Sequence, residues 1–300
     1  MIKIPLTELD SSNVLHVPFN GHIISIASAP NGKRIDISDS LRDPSDFHGP
    51  TDVDHVINFG PAMKDLICTY AYPSDFFGDD ISVLATNNSQ AKSIVAKVNE
   101  IACQLITDDQ LYNDPVFCRQ YFDLAAKGYK LLPTNNLDQI PVSLIRAGLV
   151  TTRLALGENI DAVVKNEVQV ETKRAHPKGG AHEDLMVTLR WTHPDDPIKL
   201  NNQNVLIADF VNPASWSSTA ALLLVLAHCF NARPLSVEHR SFIATAQGID
   251  LARRECEALG IKTWFNLVGI TNTMNDNYYL SGKLAVADAG HALRHFRPKI

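Results

Sequence analysis

The sequence predicts an α/β protein, a mainly parallel sheet flanked by helices. Three observations predict it. Residues 205–208 (Val-Leu-Ile-Ala) are an apolar run of buried-strand length that ends on the carboxylate of Asp209. A hydroxyl-rich turn, Ser215-Trp216-Ser217-Ser218-Thr219, leads from it into an apolar segment of helical length at 220–228. From Ile140 onward strand-like and helix-like segments alternate, the pattern of parallel strands joined by crossover helices.

Length and composition narrow the classes. A chain of 300 residues, 45% apolar and 20% charged, fits one large domain or two small ones. A net charge of -6 and the lack of a long Lys/Arg run argue against a nucleic-acid partner held by charge. The first eight residues lack the apolar core of a signal peptide. The longest apolar run, 220–227, is far short of a membrane span, so no membrane partner is expected. Cys68, Cys103, Cys118, Cys229 and Cys256 are odd in number and form no Cys-x-x-Cys pair. Reduced thiols in a cytoplasmic protein are the simple expectation.

Residues 1–57 read as a β-rich N-terminal extension and 58–300 as the main domain. Within the extension, 22–28 and 34–38 flank the turn signal Pro30-Asn31-Gly32, which predicts a hairpin, and 39–54 reads as a loop. From Asn58 the pattern turns helical, with Met63, Leu66, Ile67 and Tyr70 at core-facing spacing. Ser89 is placed to cap the next helix, which buries Ile94, Val95, Val98, Ile101, Ala102 and Leu105. Asp114-Pro115 opens a third helix that stops at Gly128. The aromatics Tyr112, Phe117, Tyr121 and Phe122 belong in the core.

The candidate chemistry lies at the turns. A Ser/Thr-rich helix start suits a phosphate, because its N–H groups are unpaired and carry partial positive charge. An ordinary crossover with a Ser N-cap is the plain alternative. Residues 140–145 form a strand that runs into Arg146-Ala147-Gly148 and then a helix over 150–156. Gly148 allows close backbone approach to a ligand and Arg146 offers a forked donor for phosphate oxygens. Read alone, Arg-Ala-Gly is equally a solvated turn. Residues 162–172 alternate as a strand, 173–184 form a basic, Gly-containing tip that starts at Lys173-Arg174, and 185–191 return. That hairpin is a flap over an anionic substrate or a solvated loop. His176, His182 and His193 match no metal-ligand spacing. Residues 234–238 and 241–246 are strand-like, 247–259 helical, and 261–265 the next strand.

The order of these segments is familiar. Pro141-Val142-Ser143-Leu144-Ile145-Arg146-Ala147-Gly148-Leu149 is similar to the pyrophosphate loop Pro-Ile-Leu-Arg-Ala-Gly-Leu of the uracil phosphoribosyltransferase family. Ile243-Ala244-Thr245-Ala246-Gln247-Gly248-Ile249 is similar to its Val-Ala-Ala-Pro-Glu-Gly-Ile turn, and Asp288-Ala289-Gly290 stands where its acceptor tail reads Gly-Asp-Ala-Gly-Asp-Arg. Over roughly residues 140–296 the chain thus resembles that family, within the type I phosphoribosyltransferase fold.

The resemblance implies transfer of a 5-phosphoribosyl group from phosphoribosyl pyrophosphate, or a related ribose phosphate, to a pyrimidine-like or other heterocyclic acceptor. Mg on the pyrophosphate is implied with it. In the catalytic roles it places Arg146 on the pyrophosphate, Asp209 under the ribose hydroxyls, and Asp288 organising metal and ribose. Ala147 and Gly148, with Ser215, Ser217, Ser218 and Thr219, would hold phosphates. Lys173 and Arg174 would belong to the flap, and Tyr279, Gly282 and Ala287 would line the acceptor site. A homodimer or higher homo-oligomer is the implied assembly.

Two departures mark this chain. Where the family's donor loop reads Asp-Pro-Met-Leu-Ala-Thr-Gly-Gly-Ser/Thr, Asp209 is kept, both glycines are gone, and Trp216 stands in the loop. The tail from Ser281 to Asp288 is longer and lacks the family's proline. An acceptor other than uracil is therefore expected. A non-catalytic nucleotide-binding or regulatory protein of the same fold is the alternative.

Overall fold

The computed structural model describes residues 3–5, 11–29, 33–36, 52–60, 62, 76–133, 138–145, 148–175, 185–212 and 216–271. Its strands are β1 (Lys3–Pro5), β2 (Val14–Phe19), β3 (His22–Ser28), β4 (Arg34–Asp36), β5 (Asp52–Val53), β6 (His55–Gly60) and β7 (Ile81–Val83). They continue as β8 (Ile140–Ile145), β9 (Val168–Ala175), β10 (Leu185–Trp191), β11 (Asn204–Asn212), β12 (Ser236–Thr245) and β13 (Lys262–Thr271). The helices are α1 (Ser89–Thr107), α2 (Pro115–Tyr129), α3 (Gly148–Ala155), α4 (Asp196–Lys199), α5 (Ser217–Cys229) and α6 (Ala246–Ala258).

Ten strands form one sheet in the order β2-β3-β6-β10-β9-β8-β11-β12-β13-β7, and β1, β4 and β5 form a small second one. From β9 to β7 every neighbouring pair is parallel, and β10, β6, β3 and β2 extend that block antiparallel. The expected α/β class with a mostly parallel, helix-flanked sheet is what the chain adopts. Parallel strands are buried on both faces, and β12 is buried at all ten positions.

Alternate residues of β11 point into two separate cores. Val205 and Ile207 join α5 and α6, while Ala208 and Phe210 join α1, α2 and α3. The helix starts follow capping chemistry. Asp114 accepts from Val116 N and Phe117 N with Pro115 in the first turn. At α1 the cap is Asn88, whose side chain accepts from Ala91 N, so Ser89 is the first helical residue rather than the cap. Tyr112, Tyr121 and Phe122 are buried and Phe117 packs against them, as aromatics on a core face should.

Helix α5 is apolar all round, with 219–227 buried throughout, and such a helix needs cover on every side. The far strands supply it. Phe19, Ile24, Ile26, Ile57 and Phe59 share its core, and Phe230 at its end meets His55 at 5.5 Å. The β2–β3 turn reaches α6, where Asn20 N donates to Glu255 Oε1 at 3.2 Å. The N-terminal strands therefore curl over α5. β6 pairs with both β3 and β10, and the 57/58 division falls inside it.

Several expectations are corrected. Strand 22–28 does form a hairpin, but with β2, through Asn20-Gly21. Those residues have φ 48° and 76°, the left-handed pair that a two-residue primed turn requires. Arg34–Asp36 goes instead to the small sheet, beside β1 and β5. Asn58 lies in a strand, not a helix, and 63–75 are outside the described residues. The strand expected at 162–172 starts only at Val168, because Asn166 turns the chain at φ 57°.

Candidate functional site

Strand β8 lies where the strand order reverses: β9 follows it on one side and β11 on the other. Open α/β sheets bind ligands outside the carboxyl ends of the strands at such a point. Here the two strands also part. Their pairing runs only from Ile140–Val205 to Val142–Ile207. Beyond it, among the described residues, 143–145 pair with β9 and β11 continues against β12 as far as Asn212. β8 feeds α3 on one face and β11 feeds α5 on the other, so two helix starts flank the split.

On the α3 side, the room at Gly148 is spoken for. A Cβ there would lie 3.2 Å from the Ser143 carbonyl carbon and 3.4 Å from its Cα. The glycine lets the helix begin against its own strand. The buried Ser143 hydroxyl fastens that start. It lies 3.2 Å from the Gly148 carbonyl and 2.8 Å from Thr152 Oγ1, and it donates to the Glu167 carboxylate. Arg146 and Ala147 lie outside the described residues.

On the α5 side, Asp209 is not the end of its strand, since β11 runs three residues further. By alternation its side chain shares the face of Val205 and Ile207, the side that carries α5, and it is half-buried. Its backbone is gripped from the opposite face. Tyr129 Oη donates to the Asp209 carbonyl at 2.6 Å, and Thr151 Oγ1 donates to the Ala208 carbonyl at 3.1 Å. Burial, and then the Asp209 charge, hold the Tyr129 hydroxyl well above the usual tyrosine range, so it stays a donor.

Helix α5 begins without a side-chain cap. Trp216 occupies its N-cap at φ 40°, ψ 20°, left-handed for a bulky residue, and the first helical bond is Ala220 N to the Trp216 carbonyl at 2.9 Å. The Trp216 ring is only 3% exposed and packs edge-on to His239, with ring centroids 5.5 Å apart. His239 stacks on Phe265 at 4.9 Å, and burial drives its pKa down to about 3, so it is neutral. The indole thus lies in the core shared by α5 and α6.

The phosphate-binding hydroxyls need correcting. Ser217 and Thr219 are buried at 2% and 5% exposure, which leaves Ser218 as the accessible hydroxyl among the described ones. Ser215 lies outside the described residues, as do Tyr279, Gly282, Ala287 and Asp288. Lys173 and Arg174 sit in β9 opposite Thr188 and Val187, inside the sheet rather than on a projecting tip, and 176–184 are outside the described residues. Of Arg146, Asp209 and Asp288, the structure describes Asp209.

A cavity of about 580 Å³ opens elsewhere, at the amino end of β13, between Phe76, Asp80, Arg253, Glu257 and Lys262. Its half-buried charges are already paired. Arg253 donates to both Asp80 oxygens (2.7 and 3.1 Å) and to the Phe76 carbonyl (3.2 Å), with its guanidinium 5.5 Å from the Phe76 ring centre. The split between β8 and β11 is the better candidate, because two helix starts flank it at the carboxyl ends of parallel strands. Among the described residues no cluster of three or more His, Cys, Asp or Glu is placed to hold a metal ion, and no helix is long and apolar enough to cross a membrane.

No family model and no curated protein matches this chain. Among solved structures, one titled "Structure of AQ2163 protein from Aquifex aeolicus" is similar over 71% of this chain and 97% of its own, at 20% identity and a TM-score of 0.45. A likeness that low decides nothing about the site.

Tyr129 and Thr151 escape a reading of the sequence. Each sits on a helix face whose spacing marks core, and nothing local says that its hydroxyl meets β11.

Proposed function

We propose that the protein is a glycosyltransferase of the phosphoribosyltransferase type, with its sugar-phosphate site in the split between β8 and β11. The observation that carries this is the parting of the two strands at Val142 and Ile207, two residues before Asp209, with a helix start on either side. The resemblance supplies the rest, including the type I fold and its flap.

Such a transfer asks the protein for positioning and charge compensation rather than covalent chemistry. The uncapped start of α5 offers backbone N–H groups and Ser218 to a 5′-phosphate. Asp209 is set to accept from ribose hydroxyls. Arg146 and the Ala147–Gly148 backbone take the pyrophosphate, and Asp288, Tyr279, Gly282 and Ala287 serve the acceptor, a heterocycle other than uracil. Lys173 and Arg174 lead into the flap. Asp209 supplies a carboxylate on the α5 side of the split, which fits a Mg ion held chiefly by phosphate oxygens and water. Bound there, the metal would neutralise the leaving pyrophosphate.

A second reading, a non-catalytic ribose-phosphate binder, is favoured by Trp216 in the donor loop and by the burial of Ser217 and Thr219. Calorimetry with Mg and phosphoribosyl pyrophosphate, and with ribose 5-phosphate, tests both, and pyrophosphate release with a panel of bases separates them. Half-buried Asp209 is expected to matter for binding rather than folding. Asp209→Asn should weaken ribose-phosphate affinity by about tenfold to a hundredfold, the worth of a charged hydrogen bond, with Tm unchanged to within about 4 °C. No heat from the wild type at millimolar ligand would remove both readings.

A further inference from the structure

Past Ile207, β11 has lost its β8 partner, and the gap is not left empty. Thr151, on α3, reaches the Ala208 carbonyl (3.1 Å), and Tyr129, the last residue of α2, reaches the Asp209 carbonyl (2.6 Å). On the β12 side the ladder carries on through this level, registering Asp209 with Ser241 and Val211 with Ile243. The Tyr129 hydroxyl sits over that seam, bonded to the Asp209 carbonyl and to the Phe242 backbone. Gly128 makes this possible, because a Cβ at that position would lie 2.7 Å from Phe242 Cε2.

We infer that Tyr129 and Thr151 are positioning residues that suspend the Asp209 stretch of β11 at the mouth of the split, where it has parted from β8. Both are buried, and both grip backbone from the α2–α3 face. By strand alternation the Asp209 side chain lies on the opposite face, the one that carries α5. The two hydroxyls act through Asp209 and touch no ligand themselves. Their effect on ligand binding rests on the reading given under Proposed function; their hold on the strand does not.

Hydrogen–deuterium exchange separates the two. In Tyr129→Phe and Thr151→Val, amide exchange in 208–212 is expected to rise about tenfold or more, while 205–207, which pair on both sides, keep wild-type protection. Equal acceleration along all of β11, or none, overturns the inference, and neither result depends on any ligand. If wild-type protein binds ribose 5-phosphate, both variants should bind it about tenfold more weakly, and Tyr129→Phe combined with Asp209→Asn should bind no worse than Asp209→Asn alone. A double variant weaker by the full product of the two effects would show that Tyr129 acts elsewhere. Should the wild type bind no ribose phosphate, the exchange result still stands or falls by itself.

Discussion

The two ends of the sheet treat polar groups in opposite ways. Toward the amino end, Glu238 is buried within β12 and each of its oxygens is occupied. Oε1 accepts from Arg240 Nε (2.5 Å) and Asn266 Nδ2 (2.8 Å), and Oε2 accepts from Gln139 Nε2 (2.8 Å). Arg240 gives another donor to the Ala155 carbonyl at the end of α3 (2.9 Å). Burial works to raise the Glu238 carboxyl, but these donors outweigh it and hold its pKa below the usual value. At the carboxyl end, the ladder parts, α5 starts without a side-chain cap, and Trp216 keeps a left-handed backbone. A saturated buried network makes scaffold, whereas donors left facing a gap make a place for a ligand.

That contrast can be broken at the saturated end first. Glu238→Ala leaves Arg240 as a buried cation without its carboxylate, and should cost about 3–5 kcal/mol in urea unfolding. A cost under about 1 kcal/mol, within the range of an ordinary surface change, would mean that the network is no scaffold.

A change of pH comes next. Burial lowers the pKa of His55 to about 4 and of His239 to about 3, so both are neutral in the fold. The unfolded chain protonates them near pH 6.5 and binds the extra protons, so stability falls as pH drops below about 6.5 toward 4. At pH 5 each histidine should have removed about 2 kcal/mol relative to pH 7. Urea midpoints at the two pH values check this, and His55→Gln should remove about half of the difference.

The smallest effect sharpens the open end. In Gly128→Ala the new methyl must fit 2.7 Å from Phe242 Cε2 and 3.2 Å from Val268 Cγ1. Overpacking of about 1–3 kcal/mol then opposes the roughly 1 kcal/mol that alanine gives a helix. A net loss of about 1 kcal/mol in thermal melts is expected. A gain would show that α2 stands off the sheet behind Asp209.

The sequence by itself determined what depends on neighbours along the chain. Asp114-Pro115 marked a helix start, because a cap and a first-turn proline act within three residues. The apolar run ending at Asp209, followed by a hydroxyl-rich turn and an apolar helix, marked β11 and α5 as a strand and a crossover. Asp209 was legible as a candidate on the same grounds. Which hydroxyls face solvent was not, since Ser217 and Thr219 are as polar in sequence as Ser218 and differ from it only in what covers them.

Only the tertiary structure decided that β3 pairs back onto β2, that the N-terminal strands cover α5, and that Glu238 and Arg240 are buried together. The bond from Tyr129 to Asp209 joins residues 80 apart, and periodicity carries no information across that distance. Caps and turns are set by a few adjacent dihedrals. Strand partners and burial are set by whichever distant surfaces exclude water together, and those exist only once the chain has folded.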